Sequence, residues 1–370
     1  MTIVQNPRLT GLACLRCDRR YEIADHTTGC PACLAEGAPA NLECVYRPDG
    51  ADRPAGRVEQ PYLRPVTLGE GGTPLLTDLA GVVPGIDVAL KWEGANPTGS
   101  HKDRFSAAVV TRAAHAGYEG VVAASSGNAG VSLAAYCGRA GLRCEVAVTD
   151  DTPARVVELM RDLGADVVSF PRSEQRWEHT ARYRDSTLML PVTNFVVPPV
   201  GSSPFGIEGY KLVAEEILAD RGGSAPEWVV VPASRGDLAW GVHLGFRELL
   251  GADAVPRLCL VEPFPRVAAV LAGADQWATF PGDTRVMPSL GGNLLAAQSV
   301  EAVRRSRGHA EPVDDESVRA ETRRLWRTGF PLEPSSAAGL VAVSRALAAG
   351  RINPDADVVV LATAHGLKGM

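Results

Sequence analysis

The chain has 370 residues, 45% of them hydrophobic and 22% charged, with a formal net charge of −6. That length is enough for two or three domains around well-buried cores, and the composition is that of a soluble globular protein. The acidic balance excludes nucleic acid as the main partner, and no apolar run reaches the roughly 18 residues of a membrane span.

The opening, MTIVQNPRLTGLACLRC, has no basic stretch followed by an apolar one, so no signal peptide is expected. A cytoplasmic location follows, with cysteines reduced or metal-bound. Residues 1–48 read as a unit of their own. Cys14 and Cys17 make one C-x-x-C and Cys30 and Cys33 a second, with twelve residues between them that include Tyr21 and Gly29. Each pair presents two thiolates from a tight knuckle, and two knuckles make a tetrahedral site of the zinc-ribbon kind. So short a stretch cannot bury its own core, and a zinc ion is the expected stabiliser. Metal-free cysteines and redox use are the alternatives, while disulfides fit a cytosolic chain poorly. Four Cys ligands leave no open position, which makes the site structural rather than catalytic. Cys44 lies outside the spacing.

A polar linker, Arg47–Pro65, leads to LGEGGTPLL, Leu68–Leu76, where glycines and Thr-Pro predict a sharp turn into an apolar segment. Val88–Lys91 reads as a short strand. NPTGSHKDR, Asn96–Arg104, then sets Lys102 behind a Pro-Thr-Gly-Ser turn and in front of the apolar run Phe105–Val110. A Gly-Ser entry to an apolar helix puts free backbone N–H groups and a positive dipole end beside the lysine. That setting suits a lysine holding an aldehyde cofactor that bears a phosphate. An ordinary surface lysine after a turn is the plain alternative.

From Ala107 to Pro199 strand and helix patterns alternate. Val121–Ala124 reads as a buried strand, SSGNAG (Ser125–Gly130) as a turn into a helix over Val131–Ala140, and Arg143–Val148 as a strand. Pro153–Leu163 reads as a helix and Asp166–Phe170 as a strand. Such alternation predicts a parallel sheet with helices on both faces. FGIEGYK, Phe205–Lys211, starts a helix, and Glu227–Pro232 is a strand leading into the turn Ser234–Leu238. Arg257–Glu262 and Asp357–Thr363 are further strands. The expected fold is α/β with two doubly wound parallel-sheet domains. Residues 60–106 and 200–370 form the larger, and 107–199 form a smaller mobile one inserted within it.

LGEGGTPLL, NPTGSHKDR and SSGNAG together resemble the threonine synthase branch of the pyridoxal-phosphate (PLP) enzymes of fold type II, the superfamily of the tryptophan synthase β subunit. The resemblance runs from about Leu68 to Lys368, with the cysteine-rich start in addition. It implies that Lys102 forms the Schiff base with PLP and shuttles the Cα proton of an amino-acid substrate. It places Asn128 against the cofactor's 3′-oxygen, and Thr363, on the last strand, against the pyridine nitrogen. A neutral hydroxyl does not hold that nitrogen protonated, a bias toward elimination and replacement over transamination. Ser125, Ser126, Gly127, Asn128 and Ala129 follow a strand and open a helix, so their N–H groups and hydroxyls converge on a substrate carboxylate. A plain helix cap is the alternative there. Thr98 is grouped with the substrate-binding residues. Ser335 and Ser336 match the family as supporting residues. His365 and Lys368 belong to the closing phrase AHGLKGM, either as catalytic groups or as a loop beneath the cofactor.

The sequence departs from the family at two phosphate-related places. Where threonine synthases carry a Gly- and Asn-rich turn, this chain has Ala233, Ser234, Arg235, Gly236, Asp237 and Leu238. Backbone N–H groups there can still cradle the cofactor phosphate with Arg235 adding charge; alternatively, Arg235 and Asp237 pair with each other. His101 stands where threonine synthases have Phe and tryptophan synthase β subunits have His, and is expected to support the altered turn. The family's R-x-E-G-x-K supplies an arginine for the phosphate of O-phosphohomoserine, but Gly206 occupies that position, and Ser203 that of an upstream Asn. Losing such a contact costs about 1.5–3 kcal/mol. Glu208 and Lys211 match the motif, as site residues or as a helix salt pair.

The expected function is PLP-dependent elimination or replacement at the β or γ carbon of an amino acid: threonine from O-phosphohomoserine, or a related reaction on another activated amino acid. A β-replacement synthase or hydroxy amino acid deaminase of a specialised pathway is one alternative. A non-catalytic zinc-ribbon pseudo-enzyme is another. The expected partner is a small amino-acid substrate, with no nucleic acid or membrane, and a homodimer is the assembly to test.

Overall fold

The structure, a computed structural model, describes residues 2–48, 56–77, 79 and 81–369. The middle of the linker expected over Arg47–Pro65 lies outside these residues. The chain divides into two compact units, Met1–Glu70 with Lys102–Leu212, and Gly71–His101 with Val213–Lys368.

The first unit opens with a three-stranded antiparallel sheet in the order Arg20–Tyr21, Leu9–Cys14, Leu42–Tyr46. It also holds a four-stranded sheet in the order Asp166–Phe170, Arg143–Thr149, Gly120–Ala124, Met189–Pro191, every neighbouring pair parallel. Its central strands are runs of Val and Ala because a parallel sheet is covered on both faces, and Val121, Val122, Ala123, Val146 and Ala147 are all buried. Helices Lys102–Ala116, Asn128–Ala140, Ala154–Asp162 and Ser173–Ala181 supply the cover. The cysteine ribbon is joined to this unit by polar contacts. Arg112, on Lys102–Ala116, donates to both carboxylate oxygens of Asp25 at 2.8 and 3.0 Å, and the Tyr118 hydroxyl donates to the same group at 3.2 Å. The Arg112 guanidinium also lies 4.6 Å from the Phe205 ring centroid. Asn41 donates to the Ser202 carbonyl at 2.8 Å, and Tyr46 to Glu208 at 2.7 Å.

The second unit is a six-stranded sheet in the order His309–Pro312, Arg257–Glu262, Trp228–Pro232, Val358–Ala362, Val88–Trp92, Leu75–Leu76. All pairs are parallel except the last. Helix Pro334–Ala348 buries Ala337, Ala338, Leu340 and Ala342 in a core with Val88, Leu90, Val230 and Val360. In open parallel sheets the carboxyl ends of the strands are where ligands bind. Here those ends carry Glu93, Ala233 and Thr363 in the second unit, and Ser125 in the first.

Candidate active site

In the first unit Lys102 is the first residue of Lys102–Ala116 and is half-buried. Its Nζ donates to the Tyr210 hydroxyl at 3.3 Å. Tyr210 is 1% exposed, and its ring stacks on Phe105 with centroids 6.0 Å apart. Gly206 lies against the same Phe105. A Cβ at position 206 would fall 2.2 Å from the ring, so the space where any side chain must begin is already filled. Glu208 and Lys211, both buried, form an ion pair at 2.9 Å, and Glu208 also accepts from Tyr46.

The Ser125–Ala129 segment follows strand Gly120–Ala124, and Asn128 opens Asn128–Ala140. The Ser125 hydroxyl oxygen accepts from the N–H groups of Gly127 at 3.4 Å and Gly130 at 3.0 Å, binding the turn to the helix start. Ser126 Oγ accepts from the Thr149 N–H at 3.2 Å and from Arg176 Nη1 at 2.9 Å, and lies 3.1 Å from Thr149 Oγ1. With both lone pairs taken, its own hydrogen goes to Thr149. Arg176, on Ser173–Ala181, donates further through Nε to the Ser173 carbonyl at 3.4 Å and through Nη2 to the Ser173 hydroxyl. Burial holds its pKa below the usual value, opposed by the charges of Asp151 and Glu174.

In the second unit Thr363 directly follows the strand Val358–Ala362. Its hydroxyl is 2.8 Å from that of Ser336, which accepts from the Ala364 N–H at 2.9 Å. The Thr363 carbonyl takes the His101 backbone N–H at 2.9 Å and meets His101 Nδ1 at 3.1 Å. A carbonyl only accepts, so Nδ1 carries the hydrogen. Thr98 and Gly99 sit in a turn closed by the Gly99 N–H on the Asn96 carbonyl at 2.7 Å. Asn96 in turn accepts from the Gly71 N–H, and Glu216 accepts from the Gly72 and Thr73 N–H groups, so the glycine-rich phrase is anchored by hydrogen bonds.

The turn after Trp228–Pro232 ends at Gly236, which caps helix Asp237–Leu250 with φ 81°. A Cβ there would lie 2.5 Å from the Ser299 Cα, so both dihedral and space require glycine. Ser234 donates to the Gly291 carbonyl at 2.9 Å, Asp237 accepts from Gln298 at 2.8 Å, and Leu238 is buried. Arg235 is half-buried beside them. Behind the turn, buried Arg266 donates to the carbonyls of Gly292 at 2.6 Å and Leu290 at 3.0 Å and pairs with Glu262 at 3.6 Å. The Gly291–Asn293 loop and Arg266 were not marked by any sequence motif.

The four cysteines of the ribbon meet with every Sγ within 4.8 Å of the others. Cys14 to Cys33 is 3.6 Å and Cys17 to Cys30 is 3.7 Å. A tetrahedral ion with bonds of about 2.3 Å to sulfur has sulfur–sulfur edges of about 3.8 Å, so the donor set fits such an ion. None of the eight cysteines is in a disulfide. Burial pushes the Cys14 thiol up. For Cys30 burial acts in the same direction but is outweighed by hydrogen bonds from Tyr21 and its cysteine neighbours, which bring it down to about 7.

Residues 66–364 match the family described as "Pyridoxal-phosphate dependent enzyme". The chain belongs to that family. Within it, this PLP enzyme is 31% identical over 320 residues to the threonine synthase of Methanocaldococcus jannaschii, covering 82% of this chain and 76% of that one. It is 29% identical over 309 residues to the threonine synthase of Halalkalibacterium halodurans, covering 82% and 84%. Among solved structures, maize serine racemase matches with a TM-score of 0.67 at 20% identity, over 80% of this chain and 88% of that one. An O-ureido-L-serine synthase matches with a TM-score of 0.60 at 24% identity, over 81% and 91%. The protein is therefore a threonine synthase-like PLP-dependent lyase of fold type II. No helix among the described residues is long and apolar enough to cross a membrane.

Three residues near the expected ones escaped the sequence reading. Tyr210 stands at the variable position inside FGIEGYK and was visible but had no motif role. Phe105 follows the lysine motif as one more apolar helix residue. Arg176 carried no signal at all.

Proposed function

We propose that this enzyme catalyses elimination or replacement on an amino acid that carries an oxygen-linked leaving group and is not O-phosphohomoserine. The observation that carries this is the Phe105 ring, which fills the place where the threonine synthase arginine would leave the backbone at Gly206. The position has been rebuilt in aromatic carbon, with Tyr210 stacked behind it. That surface offers no charge to a phosphate dianion.

The residues fit the cofactor. Lys102 would hold the aldehyde, Asn128 the 3′-oxygen and Thr363 the ring nitrogen. The turn Ser234, Arg235, Gly236, Asp237 and Leu238, supported by His101, would hold the phosphate at a helix start that admits no Cβ at Gly236. PLP, when bound, draws electron density from the substrate Cα. Lys102 Nζ takes the Cα proton, and the Tyr210 hydroxyl accepts one of its hydrogens and fixes its direction. Ser125, Gly127, Asn128 and Ala129 would orient the carboxylate, with Ser126 in the same segment, and Thr98 is read as a further substrate-binding residue. The neutral Thr363 hydroxyl keeps the electron sink weak and supports loss of the leaving group. The same reading assigns a structural zinc to Cys14, Cys17, Cys30 and Cys33, supported by the sulfur spacing.

The test is a spectroscopic and product screen of the PLP-loaded enzyme with O-phosphohomoserine, O-phosphoserine, O-acyl serine and homoserine esters, serine and threonine. The expected result is an absorbance change and product with one of the others and slow turnover of O-phosphohomoserine. Fast threonine release from O-phosphohomoserine overturns the proposal. A protein that stays colourless with added PLP favours the non-catalytic alternative.

A further inference from the structure

Arg176 is a cation without a carboxylate partner at the substrate cradle. Its hydrogen bonds go to the Ser126 hydroxyl at 2.9 Å, the Ser173 carbonyl at 3.4 Å and the Ser173 hydroxyl. Among the described residues no carboxylate forms an ion pair with it, and Asp151 and Glu174 act on it only at longer range. Those three bonds use three of the five guanidinium N–H groups, so the fork keeps donor capacity. A half-buried guanidinium whose hydrogen-bond partners are all neutral keeps a charge and donors that an anion can use.

Ser126 belongs to the turn between Gly120–Ala124 and Asn128–Ala140, the segment that receives the substrate carboxylate in the reading above. The Ser126 hydroxyl is used up inside the unit, with Thr149 N–H and Arg176 on its lone pairs and its hydrogen on Thr149. Thr149 Oγ1 lies 3.3 Å from the Thr152 hydroxyl, which extends this chain of hydroxyls. Ser126 thus serves as a strut that aims Arg176, and the charge is what remains to be used. At Gly206, meanwhile, the Phe105 ring leaves no space for the family's arginine.

We propose that Arg176 reads a second oxyanion, carried on the side chain of the amino-acid substrate, from the Ser126 side of the cradle. The substrate class is an amino acid whose side chain bears a carboxylate or a phosphate in addition to its α-carboxylate. This rests on the elimination or replacement reading of the same site.

The experiment titrates the PLP-loaded enzyme with matched pairs and reads the dissociation constant from the cofactor absorbance. The pairs are O-succinyl-L-serine against O-acetyl-L-serine, and O-phospho-L-serine against L-serine. Wild type is expected to bind the anionic member of at least one pair about 10-fold or more tightly than its neutral partner. Arg176→Gln removes that preference while neutral amino acids bind as before, and Arg176→Lys restores part of it. Preference within the first pair names a carboxylate, and within the second a phosphate. Equal binding within both pairs by wild type overturns the inference while leaving the reaction class intact. An equal loss for anionic and neutral ligands in Arg176→Gln, with an unchanged circular dichroism spectrum, also overturns it and assigns Arg176 to the α-carboxylate. Absence of any cofactor band removes the functional reading and this inference together.

Discussion

Gly206→Ala tests what fills the leaving-group side of the lysine helix. The added carbon would stand 2.2, 2.5 and 2.7 Å from three atoms of the Phe105 ring. Carbon atoms in good contact lie about 3.5–4.0 Å apart, so the ring must retreat by more than about 1 Å. It has little room, being 3% exposed and stacked on Tyr210. The helix Pro204–Glu208 cannot slide away from Lys102–Ala116 without opening their contact, because at Gly209, just past its end, the two backbones approach so closely that a Cβ would lie 2.0 Å from the Arg104 carbonyl oxygen. The expected cost is at the upper end of overpacking, about 1–3 kcal/mol. Urea and thermal midpoints of wild type, Gly206→Ala, Phe105→Leu and the double variant measure it. The double variant should cost less than the sum of the singles by about 0.5–3 kcal/mol, the coupling of residues in direct contact. An unchanged midpoint in Gly206→Ala, or strict additivity, would mean the ring moves freely, and the case against an arginine-type site at 206 would go with it.

Lys102→Ala should abolish the borohydride-fixable absorbance band and lower turnover by at least about 10²–10⁴-fold; a retained band places the cofactor elsewhere. Tyr210→Phe removes the acceptor facing Lys102 and should lower kcat about 10-fold or more, since a hydrogen bond to a charged group contributes about 1.5–3 kcal/mol. An unchanged kcat would show that contact to be idle. Elemental analysis should find about one zinc per chain, and Cys30→Ala should lose it together with thermal stability; full metal content in the variant refutes the ligand set. Acid should weaken the fold through His243, which is stacked on Trp240 and has no hydrogen-bond partner on either nitrogen among the described residues. Burial pushes its pKa down from 6.5 to about 3, so below pH 6.5 the unfolded chain binds a proton that the folded one refuses. The contribution is complete above that pH and is lost as pH falls, by up to about 1.4 kcal/mol per unit. Thermal midpoints measured at about pH 7.5 and about pH 5 should therefore fall less in His243→Leu than in wild type; parallel declines refute it.

The features legible in the sequence were those fixed by local order. Val121–Ala124 and Glu227–Pro232 read as strands because continuous Val and Ala runs are what a doubly covered parallel sheet selects. Lys102 stood out because a turn and an apolar helix flank it within a few residues. Met189–Pro191, by contrast, has three residues and ends in proline, too little for a period to show. Ser173–Ala181 is mostly polar, with only Trp177 and Ala181 to set a phase, so neither the helix nor the placement of Arg176 was readable. The Phe105–Gly206 contact joins positions about a hundred residues apart and depends on two helices packing, which no local pattern encodes. The ambiguity at Glu208 and Lys211 ended in a buried pair because a third residue, Tyr46 from the ribbon, completes it.

Asp25 lies in the loop between Cys17 and Cys30, and the guanidinium it neutralises belongs to the helix that begins at Lys102. This makes the ribbon and position 112 a linked inheritance. A relative that loses the cysteine segment loses the carboxylate paired with this guanidinium, and removing one partner of such a buried pair costs about 3–5 kcal/mol. Lineages that shed the ribbon are therefore expected to replace the arginine in the same step or shortly before, while those that keep it should keep both. Transplanting the ribbon between members of the family would succeed only where the recipient already carries an arginine at that turn of the lysine helix.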